Sequence, residues 1–119
     1  MGLQSTAAPA TNILIVDDTP SILTLLAGML KQRGYKPRTV SGWANALEAA
    51  RLVLPDLILL DVVMPGMDGF EVCERMKADP ALKDIPILFI SALTDTMAKV
   101  KAFRVGGEDY ITKPFRLEE

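Results

Sequence analysis

Leu57-Ile58-Leu59-Leu60-Asp61-Val62-Val63-Met64-Pro65 is an apolar run that ends in one carboxylate and then turns. Short, bounded, and built of leucine and β-branched residues, it predicts a strand buried on both faces, as the middle of a parallel sheet requires. Asp61 falls where that strand surfaces. In open parallel α/β sheets the chemistry gathers outside the carboxyl ends of the strands, so position alone makes Asp61 the centre of a candidate site.

Working outward, Ile13-Leu14-Ile15-Val16 is a second such run, closed by the pair Asp17-Asp18. Thr19-Pro20 then opens a helix, because proline is favourable in a first turn where its missing N–H would be unpaired anyway. Ile22, Leu25, Leu26, Met29 and Leu30 give that helix one apolar stripe, and Gly34 stops it. Lys36 to Val40 is a weaker strand, less apolar and therefore an edge. A second helix is predicted from Ser41 or Gly42 through Leu47, Ala50 and Leu54, until Pro55 ends it.

Past the central strand, Met64-Pro65-Gly66-Met67-Asp68-Gly69 carries turn chemistry, with Asp68 placed to cap a third helix running to about Ala78. Gly69, Val72, Cys73 and Met76 form its inward stripe. Asp79-Pro80 breaks it, and Ile85 to Ile90 is a fourth apolar strand ending at Ser91. Thr94 to about Val105 reads as a fourth helix closed by Gly106-Gly107. A short strand from Asp109 to Thr112 then runs into Lys113-Pro114-Phe115. Strands and helices alternate throughout, which predicts an α/β fold with a parallel five-stranded sheet and helices on both faces.

The 119 residues suffice for one domain with a core that needs no metal or disulfide staple. A formal net charge of -2 supplies no basic patch to draw the chain onto nucleic acid or anionic lipid by charge alone. Cys73 is the single cysteine, so an intrachain disulfide is impossible and a packed thiol suits a reducing, cytoplasmic setting. No apolar run approaches the roughly 20 residues that span a bilayer. Residues 1–12 read as a flexible tail, since Ser5 to Asn12 is small, polar and proline-containing with nothing to bury; residues 13–119 are the domain.

Four strands thus end in polar groups: Asp17-Asp18, Asp61, Ser91 and Lys113. In a parallel sheet these ends share one edge. Three carboxylates brought close repel one another, and a cation would offset them. The donors are oxygens, with no histidine in the chain and no cysteine cluster. That set prefers a hard ion, magnesium over zinc or copper, with calcium as the alternative. Lys113 would add a point charge and Ser91 a hydroxyl, the parts that hold a phosphoryl group. An aspartate can itself be a nucleophile that forms an acyl phosphate, and Asp61 is the best placed to do so.

With these residues in this order, the chain from Ile13 to Phe115 resembles a receiver domain of the bacterial two-component response regulators. The motifs that carry the resemblance are Asp17-Asp18, Asp61 with Met64-Pro65-Gly66, Ser91-Ala92, and Lys113-Pro114-Phe115. It implies a flavodoxin-like fold with strand order 2-1-3-4-5 and Asp61 as phosphoacceptor. It further implies Mg2+ held directly by Asp18 and Asp61, through water by Asp17, and by the backbone carbonyl of Val63. Ser91, Lys113 and the backbone of Ala92 would hold the phosphoryl oxygens, and a cis Lys113-Pro114 bond would aim the lysine. Ser91 and Tyr110 would act as the switch pair, altering the surface of the fourth helix and fifth strand to control an output domain or partner protein.

By the same resemblance the domain is regulatory rather than an enzyme, apart from its own phosphorylation and dephosphorylation. Without a histidine of its own, it depends on a histidine kinase, a histidine phosphotransfer protein or a small phosphodonor. The family's fifth helix is absent or truncated after Phe115. Either the chain is the front of a longer protein or an apolar groove stays open to a neighbour, as in a homodimer. Val63 and Leu93 flank the expected path of the hydrolytic water and cannot orient it, so a long-lived phosphoryl group is predicted. A haloacid-dehalogenase-type phosphatase also uses a strand-end Asp with magnesium, but wants Asp-x-Asp where this chain has Asp17-Asp18-Thr19. A receiver-like docking module that works without phosphorylation is the other alternative.

Overall fold

Strands buried on both faces need apolar residues at consecutive positions, and Ile13–Val16, Leu57–Leu60 and Ile87–Ile90 supply them. The computed structural model describes residues 11–62, 66, 68–91, 104, 106–107 and 109–112, with the backbone alone for Ser91 and residues 109–112. β1 (Asn12–Asp17) is buried from Ile13 onward and β3 (Leu57–Asp61) from Ile58 onward. With β2 (Lys36–Ser41), β4 (Ile87–Ser91) and β5 (Asp109–Thr112) they form one sheet in the order β2-β1-β3-β4-β5. Every neighbouring pair is parallel. β2 is the polar edge that the sequence predicts, with no fully buried residue.

Successive side chains leave a strand on opposite faces, so the sheet divides each apolar run between two cores. Leu14, Val16, Ile58, Leu60, Ile87 and Phe89 enter one cluster with residues of α2 (Ala46–Leu52) and α3 (Gly69–Lys77). Ile13, Ile15, Leu59 and Ile90 enter the other, against Leu23 and Leu26 of α1 (Pro20–Gln32). Helices therefore cover both faces. Across the first core the rings of Phe70 and Phe89 meet at 5.2 Å.

α1 starts at Pro20 as expected, with the Thr19 carbonyl accepting from Ile22 and Leu23 N–H. It ends in a glycine stop: Gly34 has φ +91, its N–H donates to Lys31 O, and Tyr35 N–H donates to Leu30 O. The buried stripe is rotated from the predicted one. Leu23 and Leu26 are buried with Ile22, Ala27 and Leu30 beside them, whereas Leu25 is 50% exposed. Leucines lie on more than one side of this helix, so spacing alone does not choose the face that meets the sheet.

α2 departs further. It runs from Ala46 to Leu52 rather than from Ser41 or Gly42 to Pro55. Ser41 stays in β2, paired with Asp17, and Gly42 turns the chain at φ +86 while its N–H donates to Asp17 O at 3.1 Å. The helix is ended early by an extended Val53, and the Arg38 guanidinium caps it through Ala49 O and Val53 O. Leu54 is 54% exposed and outside the helix.

α3 follows its sequence closely. Asp68 accepts from Glu71 N–H at 2.9 Å as the N-cap, and Gly69, Val72, Cys73 and Met76 are all buried. Past its end the Asp79 carboxylate accepts from Ala81 N–H and from Arg51, which hold it below its usual pKa in that order. Ile85 and Pro86 precede β4 instead of belonging to it. Of the predicted fourth helix, only helical Arg104 is described, followed by Gly106 at φ +106; the segment after Thr112 lies outside the described residues. No helix among the described residues is long and apolar enough to cross a membrane.

Burial pushes the Cys73 thiol up to about 11. The native protein is therefore expected to resist a soluble thiol reagent at about pH 8, where free thiols react, and to be labelled stoichiometrically once unfolded in urea. Rapid labelling of native protein would contradict this packing.

Candidate functional site

Because all the strands are parallel, β1 and β3 deliver their terminal carboxylates side by side. Asp17 and Asp61 are the only buried charged side chains among the described residues, at 1% and 5% exposure. Half-buried Asp18 joins them, and one oxygen from each carboxylate lies within 4.8 Å of the others. The Asp17 carboxylate accepts from Thr19 N–H at 3.0 Å, which fixes it at the mouth of α1. Three hard oxygen donors with convergent negative charge suit a divalent cation of the magnesium or calcium kind, and the histidine-free set does not suit softer metals.

The Asp61 end of β3 is held by a contact that sequence reasoning missed. Gly69, the first residue of α3, lies so close that a Cβ there would be 2.1 Å from Asp61 O and 2.8 Å from Val62 Cα. Its N–H donates to Val62 O at 2.7 Å. The sequence places Gly69 on the inward stripe; the need for an absent side chain follows from the helix start riding directly on the strand end. Asp68-Gly69, a cap residue followed by glycine, was the available signal.

Ser91 is the last residue of β4, one beyond Ile90, which pairs with Asp61. It thus reaches the same edge as the acidic cluster. Tyr110 lies in β5 opposite Phe89, and Thr112 opposite Ser91 ends that strand. Val63, Ala92, Leu93, Lys113 and Pro114 lie outside the described residues.

The family model for the response regulator receiver domain matches residues 13–119. The chain belongs to this family. Among curated relatives, it is 40% identical over 107 residues to the DNA-binding dual master transcriptional regulator RpaA of Synechocystis sp., covering 90% of this chain and 44% of RpaA. It is 41% identical over 105 residues to the response regulator PleD of Caulobacter vibrioides, covering 88% of this chain and 23% of PleD. The chain thus spans less than half the length of these relatives.

Solved structures agree. Chemotaxis protein CheY4 of Vibrio cholerae superposes with a TM-score of 0.87 at 32% identity, over 92% of this chain and 91% of that one. The N-terminal domain of a response regulator receiver protein from Methanoculleus marisnigri gives 0.81 at 43% identity, over 87% and 85%. This receiver domain has the regulatory, phosphoacceptor role of the two-component response regulators, and its acidic cluster is a group that could bind a metal.

Gly69→Ala is expected to cost about 1–3 kcal/mol, the range for forcing atoms into a filled site, seen as a lower urea midpoint. Gly28→Ala in α1 is the control, because its added Cβ meets nothing within 4 Å and alanine favours a helix interior. Equal midpoints for the two variants would contradict the close approach at Asp61.

Proposed function

We propose that Asp61 is the phosphoacceptor of a magnesium-dependent switch that occupies residues 13–119 behind a tail of residues 1–12. The observation that carries the reading is the meeting of Asp17, Asp18 and Asp61 within 4.8 Å at the edge where β4 and β5 also end. In this reading Asp18, Asp61 and the Val63 carbonyl hold Mg2+, with Asp17 acting through water. When bound, the ion offsets the carboxylate charge and the charge on the transferring phosphoryl oxygens.

The chemistry assigned to the chain is a single transfer. An Asp61 carboxylate oxygen attacks the phosphorus of a phosphohistidine on a histidine kinase or phosphotransfer protein, or of a small acyl phosphate. The new O–P bond forms as the donor's N–P or O–P bond breaks, and the leaving group departs with that electron pair. Ser91, the Ala92 N–H and Lys113 hold the equatorial oxygens. The chain contains no histidine, so the donor comes from outside it.

Ser91 and Tyr110 then report the acyl phosphate to the surface of β5 and the segment before it, which engages an output domain or partner protein. The domain is a regulatory element rather than a turnover enzyme, and a cytoplasmic setting suits its kinase partner. Membrane and nucleic acid are not partners of this domain, and a second copy of the chain is one form its partner protein can take.

The test is intact mass after incubation with magnesium and acetyl phosphate. Wild type is expected to gain one phosphoryl group in a magnesium-dependent way, and Asp61→Asn none. A gain that survives in Asp61→Asn would assign the acceptor elsewhere, and no gain in wild type would favour a docking module that works without phosphorylation. In the same time course, Val63→Asn is expected to shorten the phosphoryl lifetime, since an amide can orient a water that valine cannot; an unchanged rate would remove Val63 from that role.

A further inference from the structure

At the corner where α2 ends, Leu52, Val53 and Leu54 follow one another at 76%, 50% and 54% exposure. Single exposed leucines are ordinary, but three large aliphatic residues in succession form the kind of patch that marks an interaction site. The strand beside them is basic. Residues 19–47 carry Lys31, Arg33, Lys36 and Arg38 and not one acid, in a chain whose net charge is -2. Arg38 joins the two features, because its guanidinium donates to Ala49 O and Val53 O. Lys36, two residues earlier and exposed, leaves β2 on the same face. On the side of α2 that meets α3, a surface groove of about 380 Å3 is lined by Leu47, Arg51, Arg75, Ala78, Asp79 and Pro80. Of the acids nearby, Asp79 is bonded to Arg51 at 2.7 Å and Asp56 accepts from Asn12 N–H; Glu48 is the third.

We propose that this corner docks an acidic, leucine-bearing segment of a partner protein, with aliphatic side chains of the segment on Leu52, Val53 and Leu54 and its carboxylates on Lys36 and Arg75. Charge complementarity carries the choice of occupant, since matched charge on the rim steers the encounter and apolar contact at the centre holds it. A second copy of the chain fits poorly. A two-fold contact sets the same patch against itself, and so base against base. An anionic bilayer fits poorly as well, because it recruits clusters of about four to eight bases, and here Arg38 and Arg51 are already bonded within the chain. The net charge of -2 also opposes approach to a uniformly negative surface. Leu54 precedes β3 whereas Asp61 closes it, so the corner and the acidic cluster lie at opposite ends of that strand. The inference therefore stands apart from the reading of Asp61 as phosphoacceptor.

The experiment is fluorescence anisotropy with a labelled synthetic peptide of about 16 residues, leucine at helical i, i+3, i+4 and i+7 spacing and glutamate elsewhere, and with its counterpart carrying lysine for glutamate. Wild type is expected to bind the glutamate peptide and not the lysine one, and to bind it more weakly as salt rises from about 50 to 300 mM. The Leu52→Ser/Leu54→Ser double variant is expected to lose about 5- to 10-fold in affinity. Lys36→Glu and Arg75→Glu are each expected to lose about 3- to 10-fold. Leu25→Ser and Lys83→Glu, which change an exposed leucine and an exposed base away from the corner, are the controls and are expected to match wild type. All the substituted side chains are exposed, and circular dichroism checks that each variant is folded. If the glutamate peptide does not bind, or binds the corner variants as tightly as wild type, the proposal is overturned. It is overturned equally if the corner variants abolish binding to vesicles with about 30% phosphatidylserine, which would assign the patch to a lipid surface. Self-association in sedimentation that the same variants abolish would assign the patch to a second copy and overturn it too.

Discussion

The arrangement that everything else must accommodate is the confinement of three carboxylates to a space of 4.8 Å. At that distance each charged pair repels by about 1 kcal/mol in bulk water and by about 3–4 kcal/mol at an effective dielectric near 20. Two of them, Asp17 and Asp61, close strands, and Asp18 follows Asp17 directly. Two adjacent strands fix the spacing of the first two. Sliding β1 against β3 by one residue would exchange its two faces and send Ile13 and Ile15 into the core that holds Leu14 and Val16. The apolar interior of the sheet thus opposes the repulsion at its edge, and a bound divalent cation would relieve it.

Among the described residues, backbone N–H groups tie the segments around the cluster to the strand ends. Thr19 N–H on Asp17, Gly42 N–H on Asp17 O and Gly69 N–H on Val62 O each tie a helix-bearing segment to a strand end. Two of those donors are glycines, and at Gly69 a side chain would overlap the Asp61 carbonyl. α1 and α3 therefore meet the strand ends at their starts, where N–H groups lack intrahelical partners and favour negative charge nearby.

Legibility in the sequence followed burial. β1, β3 and β4 are apolar enough that their existence, type and closing residues could be read directly, and parallel pairing then put Asp17, Asp18 and Asp61 on one edge without further information. The cap at Asp68 and the stop at Gly34 were legible because each rests on a local backbone requirement. What could not be read was set by partners distant in sequence. The start of α2 depends on how far β2 pairs with β1, which Ser41 and Gly42 do not reveal. The inward face of α1 depends on the sheet it meets. Gly69 meets the Asp61 carbonyl and Trp43 meets Gly66, and spacing along the chain does not encode such contacts.

The strand order also decides what can be coupled to the cluster. β4 lies between β3 and β5, with Ile90 opposite Asp61 and Ser91 opposite Thr112. On the reading proposed above, a group attached to Asp61 meets the end of β4 first and β5 only through it. Tyr110 sits opposite Phe89, whose fully buried ring cannot shift without disturbing Phe70 and the core behind it. The interior is thus a poor route for a signal, because close-packed side chains have few alternative arrangements. The strand ends offer the other route, with Ser91 one residue past Ile90 and paired with Thr112 of β5. A switch built on this sheet would act along its edge, from Asp61 to Ser91 to β5, while the two cores beneath hold still.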